Sequence, residues 1–169
     1  SLPYLSDIQP ELIIVGEDGN RPGEINNLKH LAESLGVSHS VRFTGLVDYE
    51  RLPYFYNSAD VCVFPSYYES FGLVPLESLA CGIPVVATDV GDLKNIVRQG
   101  ETGYIIPSQE PRLISEKVKI ILKGKPGTME NPFVIRSTVS HLAWQYTAAS
   151  ISREIKRLIT DNAALARYV

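Results

Sequence analysis

Short apolar runs rich in β-branched residues alternate along this chain with stretches of helical length that are apolar on one side only. That is the pattern of a parallel sheet covered on both faces. Five runs predict strands: Leu12–Gly16 (LIIVG), Val41–Thr44 (VRFT), Val61–Phe64 (VCVF), Pro84–Ala87 (PVVA) and Tyr104–Ile106 (YII). Between the first two, Glu24–Leu35 carries apolar residues at Ile25, Leu28, Leu31, Ala32 and Leu35, the spacing of one helix face, and closes on Gly36. Asp48 begins a short helix through Ser58 with Leu52, Phe55 and Tyr56 on its apolar side. Val74–Ala80, Leu93–Arg98 and Pro111–Leu122 follow the later strands, and Gly82, Gly100 and Gly124 stand where each helix should stop. Lys123–Thr128 (KGKPGT) reads as a linker, and residues 129–164 as two helices anchored by Trp144 and Tyr146. The fold class expected is α/β, a Rossmann-like doubly wound parallel sheet.

Composition narrows this further. The 169 residues suit one domain, and 44% hydrophobic with 21% charged residues excludes general disorder and a disulfide scaffold. A formal charge of -3 argues against a broad nucleic-acid footprint. Cys62 and Cys81 lie inside apolar runs and read as buried thiols in a reducing compartment. No run approaches the roughly 20 apolar residues of a bilayer span, and no signal core opens the chain, so a cytoplasmic location is expected. The first residue is Ser1 and the one methionine is Met129, which suggests a piece of something longer.

In an open α/β sheet, ligands bind beyond the carboxyl ends of the strands. The loop after the third predicted strand, Pro65 to Glu77, is constrained by two prolines and a glycine. Proline is tolerated only in the first turn of a helix, so Pro75 marks a helix beginning. The amides of Phe71, Gly72, Leu73 and Val74 would then be unpaired donors facing the cleft, suited to a phosphate. Gly72 would let an anion approach the backbone. Glu77, in or near the first turn, could accept two hydrogen bonds from vicinal hydroxyls such as those of a ribose. Glu69, eight residues earlier, would face what lies beyond the phosphates, where a carboxylate can orient sugar hydroxyls and stabilise charge at an anomeric carbon.

The string Glu69-Ser70-Phe71-Gly72-Leu73-Val74-Pro75-Leu76-Glu77, followed by Ala80-Cys81-Gly82-Ile83-Pro84-Val85-Val86-Ala87, resembles the signature of family 4 glycosyltransferases of the GT-B fold. Ile14-Val15-Gly16, Val41-Arg42-Phe43-Thr44-Gly45, Ser58-Ala59-Asp60-Val61, Gly100-Glu101-Thr102-Gly103 and Trp144 match in the same order. The resemblance implies a retaining transferase, with this chain as the carboxyl-terminal, donor-binding half of a GT-B architecture. By that resemblance Glu69 lies by the donor sugar and Glu77 binds the ribose hydroxyls. Ser70, Phe71, Gly72, Leu73 and Val74 line the sugar and diphosphate; Gly45, Leu46 and Val47 hold the base through main-chain groups; and Gly16 approaches the sugar nucleotide closely. The partners implied are a nucleotide-sugar and the protein's own N-terminal acceptor domain, with no cofactor, no catalytic metal and no nucleic acid, and with room for peripheral membrane association of the full enzyme. Similarity of the loop Glu17–Glu24 to relatives that use uridine donors favours a UDP-sugar.

One departure stands out. The family's domain opens with a strand and loop carrying an arginine and a Lys-Gly pair that clamp the diphosphate, and nothing before Leu12 supplies them; Ser1 to Glu11 reads as a helix end. The chain is therefore expected to lack its first strand–helix unit and the acceptor domain, and to bind better than it catalyses. Holding two reactants together is worth roughly 7–11 kcal/mol of a barrier, and that contribution needs an acceptor site. The competing readings are a sugar-nucleotide epimerase or phosphorylase of the same fold, and a non-catalytic nucleotide-sugar-binding module. Gly16-Glu17-Asp18-Gly19 matches neither the dinucleotide fingerprint nor a P-loop. His30, His39 and His141 show no ligand spacing, and Tyr54, Tyr56, Tyr67 and Tyr68 are read more simply as core and rim packing than as a sugar platform.

Overall fold

A computed structural model describes residues 1–17, 23–124 and 127–165. All five predicted strands form, as β1 (Leu12–Ile14), β2 (Val41–Phe43), β3 (Cys62–Phe64), β4 (Val85–Thr88) and β5 (Gly103–Ile106). The helices are α1 (Glu24–Ser34), α2 (Leu52–Ser58), α3 (Leu73–Ala80), α4 (Leu93–Ile96), α5 (Pro111–Lys123), α6 (Pro132–Val139) and α7 (Trp144–Leu165). Every strand pair is parallel, with registers such as Ile13 opposite Arg42, Val63 opposite Val86 and Val86 opposite Tyr104. The order is β1–β2 in one ladder and β3–β4–β5 in another. Among the described residues β1 pairs only with β2 and β3 only with β4, so the expected continuous sheet is interrupted between β1 and β3.

The three-stranded ladder is covered on both sides, as near-continuous apolar strands require. Because successive side chains alternate, Cys62, Phe64, Val85, Ala87 and Ile105 face one cluster and Val61, Val63, Val86, Tyr104 and Ile106 the other. Leu79 of α3, Leu93 and Ile96 of α4, and Ile135 and Val139 of α6 close the first cluster. Ile114, Val118 and Ile121 of α5, with Leu5 and Met129, close the second. Each fully buried Leu or Ile contributes about 1.5–3 kcal/mol, which makes this ladder the rigid part of the molecule. The first residues form a 3-10 turn, Leu2–Leu5, that seats Leu5 against α5, and Asp7 ties it there through Lys119 at 2.8 Å and Lys123 at 2.7 Å.

Several local expectations need correction. On α1 only Ala32 is buried, while Leu28, Leu31 and Leu35 are exposed, because the two-stranded ladder beneath offers too little surface; Ile13 and Val15 are exposed on it as well. Asp48 does precede a helical start, yet the next residues, Tyr49–Arg51, form a 3-10 turn that runs into α2, and the Asp48 side chain makes no capping bond. Helix α4 stops at Ile96 instead of Arg98, since Val97 turns extended and the Thr102 hydroxyl accepts the Arg98 amide at 2.9 Å. Trp144 anchors nothing: it is 86% exposed, Tyr146 is exposed too, and every residue from 143 to 160 lies at the surface. Chain direction changes at extended Ala143, and α7 leaves the body there. Cys62 and Cys81 are free and half-buried, and burial pushes the Cys62 thiol up to about 11. Lys125 and Pro126 of the expected linker lie outside the described residues.

Candidate functional site

The loop from Pro65 to Gly72 leaves the carboxyl end of β3 and is held by the strand beside it. The hydroxyl of Thr88, at the end of β4, donates to the Ser66 carbonyl at 2.6 Å, and the Ser66 hydroxyl donates to the Tyr68 carbonyl at 2.8 Å. Gly91 then brings the loop after β4 against the motif. A Cβ there would stand 2.6 Å from the Glu69 carbonyl oxygen and 2.9 Å from that of Ser70, so only glycine allows this approach. Gly72 caps α3 with left-handed backbone at φ 98°. The Leu76 amide makes the first helical bond, to the Gly72 carbonyl at 3.1 Å, which places Pro75 in the first turn where its missing N–H costs nothing.

Helix α3 sorts its residues by face. Pro75, Ser78 and Leu79 are buried, whereas Leu73 and Val74 are exposed and Glu77 is half-buried. Leu73 and Glu77 are four residues apart, so the carboxylate lies about 6 Å along the axis from the helix start and on the same side. Its Oε2 accepts a 2.9 Å hydrogen bond from the Tyr56 hydroxyl of α2.

The amides at this helix start are not all open, contrary to the sequence expectation. Glu69 folds back over them: its Oε1 accepts from the Ser70 amide at 2.8 Å, the Phe71 amide at 3.3 Å and the Ser70 hydroxyl at 3.3 Å. These contacts hold the Glu69 carboxyl below the usual carboxylate range. The Ser70 amide has the largest effect and the Phe71 and Gly72 amides add to it, while desolvation works against them. The physical reason is the positive end of α3, which draws in the nearest mobile anion. Leu73 and Val74 lie in the first turn, where no helical acceptor exists, and keep their N–H groups as donors. Glu69 and Glu77 therefore flank one helix start, and the anion already there is a side chain that can move, since Glu69 is only half-buried and bonds to nothing beyond its own loop.

Gly16 and Gly45 form a second group. The Gly16 amide donates to the Gly45 carbonyl at 3.1 Å, and both residues line a cavity of about 460 Å³ over the ends of β1 and β2. Asn26, Lys29 and Phe43 share its wall, and the Lys29 ammonium sits 5.6 Å above the Phe43 ring. Leu46 is 74% exposed and Val47 half-buried, and neither lines this cavity. No residue of the Glu69–Glu77 motif lines it either, so the expected site residues fall into two groups, one on each ladder. Asp18 and Gly19, and with them residues 18–22 of the Glu17–Glu24 loop, lie outside the described residues.

Sequence reasoning missed Thr88 and Gly91, which position the motif, and gave Tyr56 only a packing role. The signal for the first two was present in Thr88-Asp89-Val90-Gly91, a hydroxyl and a glycine leaving a strand beside the motif strand. Tyr54, Tyr67 and Tyr68 are 76%, 88% and 82% exposed and pack neither in the core nor on Glu77. Among the described residues no group of three or more His, Cys, Asp or Glu side chains is placed to hold a metal ion.

Residues 1–132 match the family described as "Glycosyl transferases group 1". D-inositol 3-phosphate glycosyltransferase 2 of Catenulispora acidiphila is 37% identical over 163 residues, covering 92% of this chain and 36% of that protein. Among solved structures, sucrose-phosphate synthase from Thermosynechococcus elongatus superposes with a TM-score of 0.79 at 33% identity, over 89% of this chain and 39% of that one. The C-terminal domain of a glycosyl transferase group 1 family protein from Francisella tularensis shares the fold, with a TM-score of 0.62 at 18% identity, over 80% of this chain and 90% of that one. The chain spans about a third of the length of the curated relatives it matches, 36% and 31% for two of them.

Proposed function

The chain belongs to the group 1 glycosyl transferases, as a C-terminal domain of the GT-B fold, and from that membership we propose that it is the donor-binding half of a retaining, family 4 type hexosyltransferase. Its substrate in this reading is a nucleoside-diphosphate sugar, with uridine as the base, and the acceptor is held by the remainder of the polypeptide. One observation carries the reading: the start of α3 attracts an anion strongly enough that Glu69 folds into it, and Glu77 waits one turn along on the same side. A diphosphate would displace the Glu69 carboxylate, taking the Phe71 and Gly72 amides along with those of Leu73 and Val74. The released Glu69 would then face the sugar, and Glu77 the ribose. The amides, and not a metal ion, would meet the phosphate charge.

The two groups of site residues also fit this reading. The cavity at Gly16 and Gly45 and the α3 start sit on either side of the interruption between β1 and β3. Among the described residues each of those strands has an unpaired edge, and one further parallel strand between them would join two ladders into a six-stranded sheet. The strand and loop that carry the arginine and Lys-Gly clamp would fill that place and deliver the clamp beside the phosphate-binding amides. In the full-length protein, hydrogen exchange at Val61–Phe64 should then be slower than in this chain by itself, and equal rates would rule the inserted strand out.

Calorimetry with UDP on the full-length protein tests the donor reading. Glu77→Ala should weaken binding by tenfold or more, because a bidentate, charge-assisted pair of hydrogen bonds is lost. Equal binding by wild type and variant would remove Glu77 from the site.

A further inference from the structure

Glu77 is not a lone carboxylate on a helix surface. Across the contact between α2 and α3, the phenol of Tyr56 donates a 2.9 Å hydrogen bond to its Oε2. Both side chains are half-buried, and among the described residues no lysine or arginine pairs with Glu77. A glutamate without such a partner spreads over many rotamers, and ordering it on binding costs entropy. The phenol removes that freedom in advance and occupies one side of one oxygen, leaving Oε1 and the remaining lone pair of Oε2 directed away from it. Burial, and then the Glu77 bond and its charge, raise the Tyr56 pKa well above the ordinary phenol range, so the hydroxyl stays a donor throughout the working range. The other tyrosines of the cluster are exposed and do not share the task.

We propose that Tyr56 is a positioning residue that fixes the Glu77 carboxylate so that its free lone pairs accept both vicinal hydroxyls of the donor's ribose. This rests on the reading of Glu77 as the ribose ligand. The consequence is specificity: the protein should prefer a ribonucleotide over its dideoxy counterpart, and Tyr56 should set part of that preference without touching the nucleotide.

The test measures dissociation constants of the full-length protein for UDP, ADP and GDP and for the 2′,3′-dideoxy form of each, following whichever diphosphate binds tightest. Wild type should favour the ribo form by tenfold or more, and Glu77→Ala should abolish the preference. Tyr56→Phe should reduce it by roughly three- to tenfold while binding the dideoxy form as wild type does, which shows that the site is intact. Combining the two substitutions should add nothing to Glu77→Ala, as for members of one interaction. A full ribose preference in Tyr56→Phe overturns the positioning role, and so does an equal loss for both forms, which is the mark of packing. If Glu77→Ala keeps the preference, or if no diphosphate binds, the ribose reading itself fails and Tyr56 goes with it.

Discussion

Replacing Glu69 by alanine in the full-length protein is expected to lower kcat by roughly 10²–10³-fold, the usual cost of removing one group aimed at transition-state charge, while affinity for the nucleoside diphosphate holds or tightens a few-fold. The two effects have opposite origins. In the donor reading, turnover falls because the carboxylate proposed to lie beside the sugar is gone. Binding does not fall, because the same carboxylate occupies the Ser70 and Phe71 amides in the free protein and competes with the incoming phosphate. The competition also has a pH signature. In the free protein those amides, Ser70 first, hold the Glu69 carboxyl below its ordinary range, so it stays ionised further into acid. A diphosphate bound as proposed would take the amides, that stabilisation would be lost and the carboxyl would titrate at higher pH. The acid limb of kcat, which reports the bound enzyme, should therefore lie above that of kcat/KM, which reports the free enzyme. Steady-state kinetics across the acid range, with calorimetry on the alanine variant, measures both. Parallel losses in binding and turnover, or coincident acid limbs, would show that Glu69 does not exchange places with the phosphate.

The ladder core was legible in the sequence because Val61–Phe64 and Pro84–Ala87 are runs too apolar and too β-branched to be anything but strands buried on both faces. Pro75 was equally direct, since a helix can hold it only in the first turn. What the sequence concealed has a common cause. Burial depends on what covers an element, and the periodic apolar face of α1 says nothing about whether two strands or six lie beneath it. Trp144 reads as an anchor by residue type, yet α7 departs from the body before it can pack. The capture of the helix-start amides by Glu69 was hidden for a related reason: local motif reasoning counts donors and carboxylates separately, and only the loop's conformation reveals that they satisfy each other. Tyr56 and Glu77 are twenty-one residues apart, and nothing short of the α2–α3 contact joins them.

Gly72→Ala should destabilise the chain by about 2–5 kcal/mol, or on the order of 5–15 °C in Tm, the largest effect expected of any single methyl group in the motif. Two penalties combine. The left-handed backbone at φ 98° is strained for any residue with a side chain, and the new Cβ would overlap Cδ2 of Leu93 and stand 3.2 Å from its Cγ. Leu93 has no retreat, being fully buried among Leu79, Ile96 and Ile135. Gly100→Ala is the control, because its backbone is also left-handed, at φ 77°, while nothing stands within 4 Å of the added carbon; it should cost only about 1–2 kcal/mol. The excess at position 72 is then the contact with Leu93, and Leu93→Ala should reveal it directly. Alone that truncation costs about 2–5 kcal/mol, but in the Gly72→Ala background it makes room for the new methyl and should cost markedly less. Additive losses in thermal melts would mean that the helix start is not seated on α4. Coupled losses would mean that the direction in which α3 presents its amides is set by core packing, with the anion site and the fold sharing one contact.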